Sequence, residues 1–214
     1  AGQNGGDNNV VYQIVGQPLG VFYLPHCKGL VKNENGSYFY DIEDLDHNGN
    51  VDLSDGGDRY IAGQATPKVI LGSNISFRYK NYYVSIQMNG AFGHKIFNGT
   101  GLAYTSMACL PYYNVLKDAP KKNIMDQRVS DYWLEKGDYL NFEHLTIGYN
   151  VPLRSKLIRS LRVSCNISNI GTITGYKGLT PMINSYVVNS TMGIDDKRNY
   201  PLYRTYSLGL SVQF

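Results

Sequence analysis

The chain has 214 residues, 43% of them hydrophobic and only 17% charged, with a net charge of +3. That much apolar content argues against a disordered chain, and so small a charge offers no electrostatic footprint for nucleic acid. Charged residues are usually about 25%; here the polarity comes from Asn, Ser, Gly, Gln and 19 Tyr, a balance that points to β-structure.

The chain begins without a Met or a basic, apolar leader pattern, so it is expected to be a mature chain or a fragment. The first candidate strand, "VVYQIVGQPLGVFYL" (10–24), is broken by Gly16, Pro18 and Gly20. It reads as one or two short, irregular strands.

A chemistry-bearing motif follows, "DLDHNGNVDLSD" (44–55). It matches the spacing D-x-[DN]-x-[DN]-G-x5-[DE]. Asp44, Asp46 and Asn48 would supply side-chain oxygens, and Gly49 the sharp turn. Asn50 would offer its carbonyl, Asp52 would act at the ninth position through water, and Asp55 would close the twelfth. Hard oxygen donors at this spacing suit Ca2+ better than Mg2+, which keeps its waters. No amphipathic helices flank the motif, so a paired EF-hand is not expected; the competing reading is a solvated Asx-rich turn. A bound ion would be structural, not catalytic.

Strict alternation then begins. In "VILGSNISFRYK" (69–80), Val69, Leu71, Ile75, Phe77 and Tyr79 share one face, and Asn74, Ser76, Arg78 and Lys80 the other. In "YYVSIQMNGAF" (82–92), Tyr82, Val84, Ile86, Met88 and Phe92 oppose Ser85, Gln87 and Asn89. The segment "YLNFEHLTIGYNVP" (139–152) changes parity between Phe142 and Leu145, which predicts a β-bulge near Glu143–His144. "LRVSCNISN" (161–169) and the final "YSLGLSVQF" (206–214) alternate without a break.

The connections carry as much information. Strand 69–80 reaches 82–92 around Asn81, and 139–150 reaches 160–170 through one short turn. The segments 24–68, 93–138 and 171–203 are instead far longer than ordinary loops. Long and short connections alternate, so the long ones share one end of the sheet, as in outer-membrane barrels. Lipid allows no open sheet edge, and five or six strands are too few for a transport-sized barrel. The expected fold is therefore all-β: antiparallel transmembrane barrel strands forming part of something larger. Phe214 would then lie at the periplasmic rim.

Nothing predicts an enzyme. His26, His47, His94 and His144 are scattered, and no nucleophile-elbow, phosphate-loop or dinucleotide pattern is present. Cys27, Cys109 and Cys165 read as isolated thiols. Tyr112, Tyr113 and Tyr186 in the long loops could stack on sugar rings or simply pack.

Several longer stretches add a family resemblance. "SDYWLEKGDYLNFEHLTIGYNVP" (130–152), "SLRVSCNISNIGTITGYKGLTP" (160–181) and "GIDDKRNYPLYRTYSLGLSVQF" (193–214) resemble the SusC/RagA family of TonB-dependent outer-membrane transporters. So does the stretch from Asp44 to Asn98, with its Asp-rich loop, "DR" and paired strands. The resemblance implies the C-terminal part of a plugged, 22-stranded barrel in the Bacteroidetes outer membrane. It implies uptake of oligosaccharides or oligopeptides, energy from TonB through segments absent here, and a SusD-like lipoprotein partner. Segments 24–68, 93–138 and 171–203 would be extracellular loops. Thr180 departs from an Asp common in the family, and residues 93–128 carry no family pattern. The alternatives are a secreted, calcium-stabilised β-sandwich that binds carbohydrate, and a hydrolase with carboxylates gathered by loops.

Overall fold

The computed structural model describes residues 9–54, 56–154, 157–183, 192–196 and 200–214. In chain order the strands are β1 (Val11–Tyr12), β2 (Val21–Leu24), β3 (Cys27–Lys32), β4 (Tyr38–Ile42), β5 (Tyr60–Gln64), β6 (Val69–Tyr79), β7 (Tyr82–Phe92) and β8 (Lys95–Asn98). Helices α1 (Gly99–Thr105) and α2 (Ala119–Lys122) follow. The remaining strands are β9 (Leu134–Lys136), β10 (Tyr139–Val151), β11 (Ser160–Thr174), β12 (Ile194–Asp195) and β13 (Thr205–Gln213). No helix among the described residues is long and apolar enough to cross a membrane, which says nothing about strands.

The chain divides into two units. One comprises residues 68–92, 138–175 and 201–214, and is a single antiparallel sheet in the order β13-β11-β10-β7-β6. Its ladders run through all five strands, with one register shift in β10. Ile75 faces Ile86, then Leu145, Ile167 and Tyr206. The next row is Phe77, Val84, Ile147, Cys165 and Leu208; the next is Tyr79, Tyr82, Tyr149, Val163 and Leu210. Alternating polar rows occupy the other face, such as Ser76, Ser85, Thr146, Asn166 and Ser207. Period-two alternation in each strand, held in register by the ladder, makes a two-faced sheet.

The predicted bulge is present. The register of β10 shifts between Phe142 and His144 against both β7 and β11. Glu143 is the extra residue relative to β7, and Asn169 on β11 answers with a φ of 54°. The shift lets Phe142 and Leu145 share the apolar face despite opposite parity. Strand β11 runs to Thr174, a few residues beyond the expected strand end, so the following connection starts later than 171. A short turn at Lys80–Asn81 joins β6 to β7, and the connection from β10 to β11 leaves from the same sheet end; the long connections leave from the other.

The second unit comprises residues 1–67, 93–137 and 176–200. These segments, expected as long loops, hold a core of their own. The first candidate strand contributes here, not to the large sheet: β1, β2 and β5 form a small antiparallel sheet. β3 and β4 form a hairpin, and β8 pairs with β9 antiparallel and with β12 in parallel. Val10, Phe22, Leu24, Ile42, Phe97, Ile124 and Trp133 are buried together. Trp133 donates its indole N–H to Tyr40 Oη at 3.0 Å, which satisfies the one polar atom its ring carries into the core. Asn98 caps α1 by accepting from Gly101 N at 2.6 Å. Gly101 packs so tightly that a Cβ would lie 2.8 Å from the Trp133 ring.

Candidate functional site

The Asp-rich loop sits between β4 and β5 and is flanked by strands, as the missing helical pattern predicts. Its backbone is shaped by its own side chains. Asp44 accepts from Asn48 N at 3.3 Å and Gly49 N at 2.8 Å. Asp46 accepts from Asn48 N at 3.1 Å and from its amide at 2.7 Å. Asn48 Oδ1 accepts from Asn50 N at 2.8 Å. Gly49 has a φ of 86°, the left-handed geometry its position in the motif requires.

Asp58 is a functional candidate the twelve-residue template misses. It is 2% exposed. One carboxylate oxygen accepts from Leu45 N at 2.6 Å and Asp46 N at 3.3 Å, and the other from Asp52 N at 2.7 Å. Ligand atoms of Asp44, Asp46 and Asp58 lie within 4.8 Å of one another. The available signal was the "DR" that follows the loop; it lies outside the motif's spacing. Asp52 is not part of this group: both its oxygens accept from Ser54, from N–H and hydroxyl at 2.9 Å each. Its carbonyl instead accepts from Asp58 N at 2.8 Å. Asp55 lies outside the described residues.

The electrostatics follow from these bonds. Desolvation works against the charge on Asp44. The N–H of Gly49, with Asp46, Asn48 and His47, outweighs it and holds the carboxyl below its usual range. The Ser54 N–H and hydroxyl hold Asp52 down in the same way. The next residue, Arg59, is buried and donates to Leu53 O at 2.6 Å, to Asn9 O at 3.1 Å and to Tyr12 Oη at 3.0 Å, which ties the loop's end to the small sheet. Such a cluster can hold a hard cation through carboxylate oxygens while its backbone is already turned.

The large sheet offers a second functional feature. Its apolar rows are exposed on one face: Leu208 is 86% exposed, and Phe77, Tyr206 and Leu210 are also uncovered. The opposite face is cross-linked by polar side chains. Ser76 donates to Ser85 Oγ, and Ser85 to Asn74, both at 3.0 Å. Thr146 reaches Asn166, and Thr172 reaches Asn141, both at 2.9 Å. Arg162 donates to Asn150 at 2.8 Å, and its guanidinium lies 5.2 Å from the Tyr83 ring centre. Tyr79 pairs with Tyr82, and Tyr82 with Tyr149, near the short-turn end.

The histidines are dispersed. His26 meets Asp131 at 2.7 Å, His47 lies in the acidic loop, His94 is buried beside Gly137, and His144 meets Ser168 at 3.1 Å. The thiols of Cys27, Cys109 and Cys165 form no disulfide. Tyr112 and Tyr113 are exposed, and Tyr186 lies outside the described residues.

No family model matches the chain. It is 27% identical to TonB-dependent receptor P3 of Formosa agariphila, over 93% of this chain. It is also 27% identical to TonB-dependent receptor SusC of Bacteroides thetaiotaomicron, over 98% of this chain. The chain spans 22% and 21% of the length of these two relatives. Among solved structures, it resembles the RagAB peptide importer in its open-open state with a TM-score of 0.72 and 19% identity. For the closed-closed state the TM-score is 0.68 and the identity 15%. These cover 97% and 96% of this chain, and 24% and 25% of the solved chains. The resemblance to the SusC/RagA family thus holds along almost the whole chain, and the fold is that of antiparallel barrel strands.

Proposed function

We propose that this SusC/RagA-like barrel segment forms part of the wall and the extracellular loops of an outer-membrane importer for oligosaccharides or oligopeptides. The carrying observation is the large sheet: five strands in register, with unbroken apolar rows exposed on one face and hydrogen-bonded polar rows on the other. Strand β6 has 11 residues. At about 3.3 Å per residue and a tilt of about 40°, a strand of that length spans roughly 28 Å, enough for the apolar band of an outer membrane. A β-sandwich would need a second sheet over those rows, and the described residues of this unit form one sheet. The free edges of β6 and β13 are where the rest of the barrel would pair, since lipid tolerates no open edge.

Passage, not bond chemistry, is the activity this supports. The unit of residues 1–67, 93–137 and 176–200 would form the extracellular loops, meeting a SusD-like lipoprotein that captures substrate. TonB would supply the energy through parts of the transporter beyond this chain. Ca2+ would bind the loop through Asp44, Asp46 and Asp58, with Asn48 and the Asn50 carbonyl as further oxygens. Its role would be to offset clustered carboxylates and stiffen the loop.

Cells lacking the full transporter, complemented or not, test this reading. Uptake of fluorescently labelled oligosaccharide and oligopeptide mixtures is measured with and without TonB. Uptake of one mixture that needs both proteins supports it. Equal uptake in all strains contradicts it.

A further inference from the structure

Within the unit of residues 1–67, 93–137 and 176–200 lies a cleft of about 720 Å³, inside the range that holds small ligands. It is built from α1, α2, the segment leading into β9 and Lys177, and its lining from Gly101 to Lys122 lies in the stretch where the sequence carries no family pattern. Four lysines line it: Lys117, Lys121, Lys122 and Lys177. Two carboxylates line it as well, and both are engaged. Asp118 takes the Lys122 ammonium at 2.8 Å, which holds its carboxyl below the usual range. Glu135 accepts from Asn98 Nδ2 and from Lys177 N, both at 2.9 Å.

That leaves Lys117, Lys121 and Lys177 with no ion pair among the described residues. Set against the two carboxylates, the four ammonium groups leave the cleft with a net positive charge, which attracts an anion. Tyr132 adds an exposed ring, braced edge-on by Trp133 at 5.2 Å and Tyr40 at 5.3 Å. Thr105, also on the lining, is 1% exposed, and its hydroxyl has no hydrogen-bond partner among the described residues. A buried hydroxyl left unsatisfied is uncommon and marks a place for a polar ligand atom or water.

We propose that this cleft binds a short acidic oligosaccharide carrying carboxylate or sulfate groups. Lys117, Lys121 and Lys177 would meet the anionic substituents, Tyr132 would stack on a sugar face, and Thr105 would exchange a hydrogen bond with a ring hydroxyl. A peptide fits less well, because Leu116 is the one aliphatic side chain of any length on the lining. Capture of the imported substrate is a role that rests on the import reading above; the binding itself does not.

The test uses the full-length transporter in detergent, with trigalacturonate, maltotriose and triglutamate as probes and thermophoresis as readout. Trigalacturonate is expected to bind, more weakly as salt rises, while maltotriose binds little. The triple variant K117A/K121A/K177A should weaken trigalacturonate at least about tenfold, through loss of charge-assisted contacts. The charge-preserving K117R/K121R/K177R variant should retain binding, which separates lost charge from lost fold. No trigalacturonate binding, unchanged affinity in the alanine variant, or preference for maltotriose or triglutamate would overturn the assignment. Lysine-dependent binding without cellular uptake of trigalacturonate would leave the cleft in place and contradict the import reading.

Discussion

The ring of Tyr83 on β7 lies over Gly148, its register partner on β10, so closely that a Cβ on Gly148 would sit 1.9 Å from the ring's Cε1. The Arg162 guanidinium lies on the same ring from β11, 5.2 Å from its centre. One aromatic side chain thus ties three neighbouring strands on the polar face. Gly148→Ala should destabilise the assembled barrel by about 1–3 kcal/mol through overpacking. Urea unfolding of the full-length protein checks this. Adding Gly148→Ala to Tyr83→Ala should cost almost nothing further, because the ring that clashes is gone.

The two faces should respond differently to charge. Leu208 and Ser207 are adjacent on β13 and point to opposite faces. Leu208→Arg places a cation in the middle of the apolar rows, at a cost of about 2–4 kcal/mol near a bilayer midplane. Ser207→Arg joins a polar row and should be close to neutral. Yields of folded, heat-modifiable barrel in the outer membrane compare them.

Why the sheet was legible in the sequence and the loop unit was not comes down to what each side chain meets. Each strand of the sheet separates an apolar from a polar environment, so its pattern is local. Even the bulge shows as a parity change between Phe142 and Leu145. The core of the other unit draws Phe22, Phe97, Ile124 and Trp133 from distant parts of the chain. The segments that carry Phe22, Phe97 and Trp133 are three or four residues long, too short to display a period. In the acidic loop, Asp44, Asp46, Asn48 and Gly49 follow from spacing because each acts on a neighbour within five residues. Asp58 reaches back 13 residues to Leu45 and 12 to Asp46, so no short template contains it.

Asp58 should matter more to this loop than any residue of the motif itself. Asp58→Ala strands the N–H groups of Leu45, Asp46 and Asp52, at about 1–3 kcal/mol for an unsatisfied buried group. Amide hydrogen exchange across residues 45–54 should accelerate in that variant. Isothermal titration of the full-length transporter with Ca2+ should show uptake by the native protein, weakened in Asp58→Ala and in Asp44→Asn. No uptake by the native protein at millimolar Ca2+ contradicts the metal assignment.

The same loop should be sensitive to acid. Asp44 and Asp52 titrate below their ordinary values, because the folded loop favours their charged forms. Their contribution is complete above the unfolded carboxylate value of about 3.9, and is lost as pH falls through the lower folded values. Exchange rates in residues 45–54, corrected for intrinsic pH dependence, should be constant from neutral pH down to about 4 and rise below it.

Tyr176 anchors another buried carboxylate. Its hydroxyl donates to Asp195 Oδ2 at 2.5 Å, and burial with that bond pushes the phenol far above its ordinary range. Tyr176→Phe should cost about 1–3 kcal/mol, because a donor to a fully buried Asp195 is removed. Proteolysis of residues 176–200 in the native transporter should become faster.

The central claim is that the exposed apolar rows meet lipid. In the full-length transporter, with Cys27, Cys109 and Cys165 replaced, single cysteines at residues 206 to 212 of β13 carry an environment-sensitive fluorophore. Quenching by lipids labelled in their acyl chains is then measured in vesicles. Strong quenching at 206, 208, 210 and 212 with weak quenching at 207, 209 and 211 is the predicted result. Equal quenching at all seven positions, or the opposite alternation, would contradict the account.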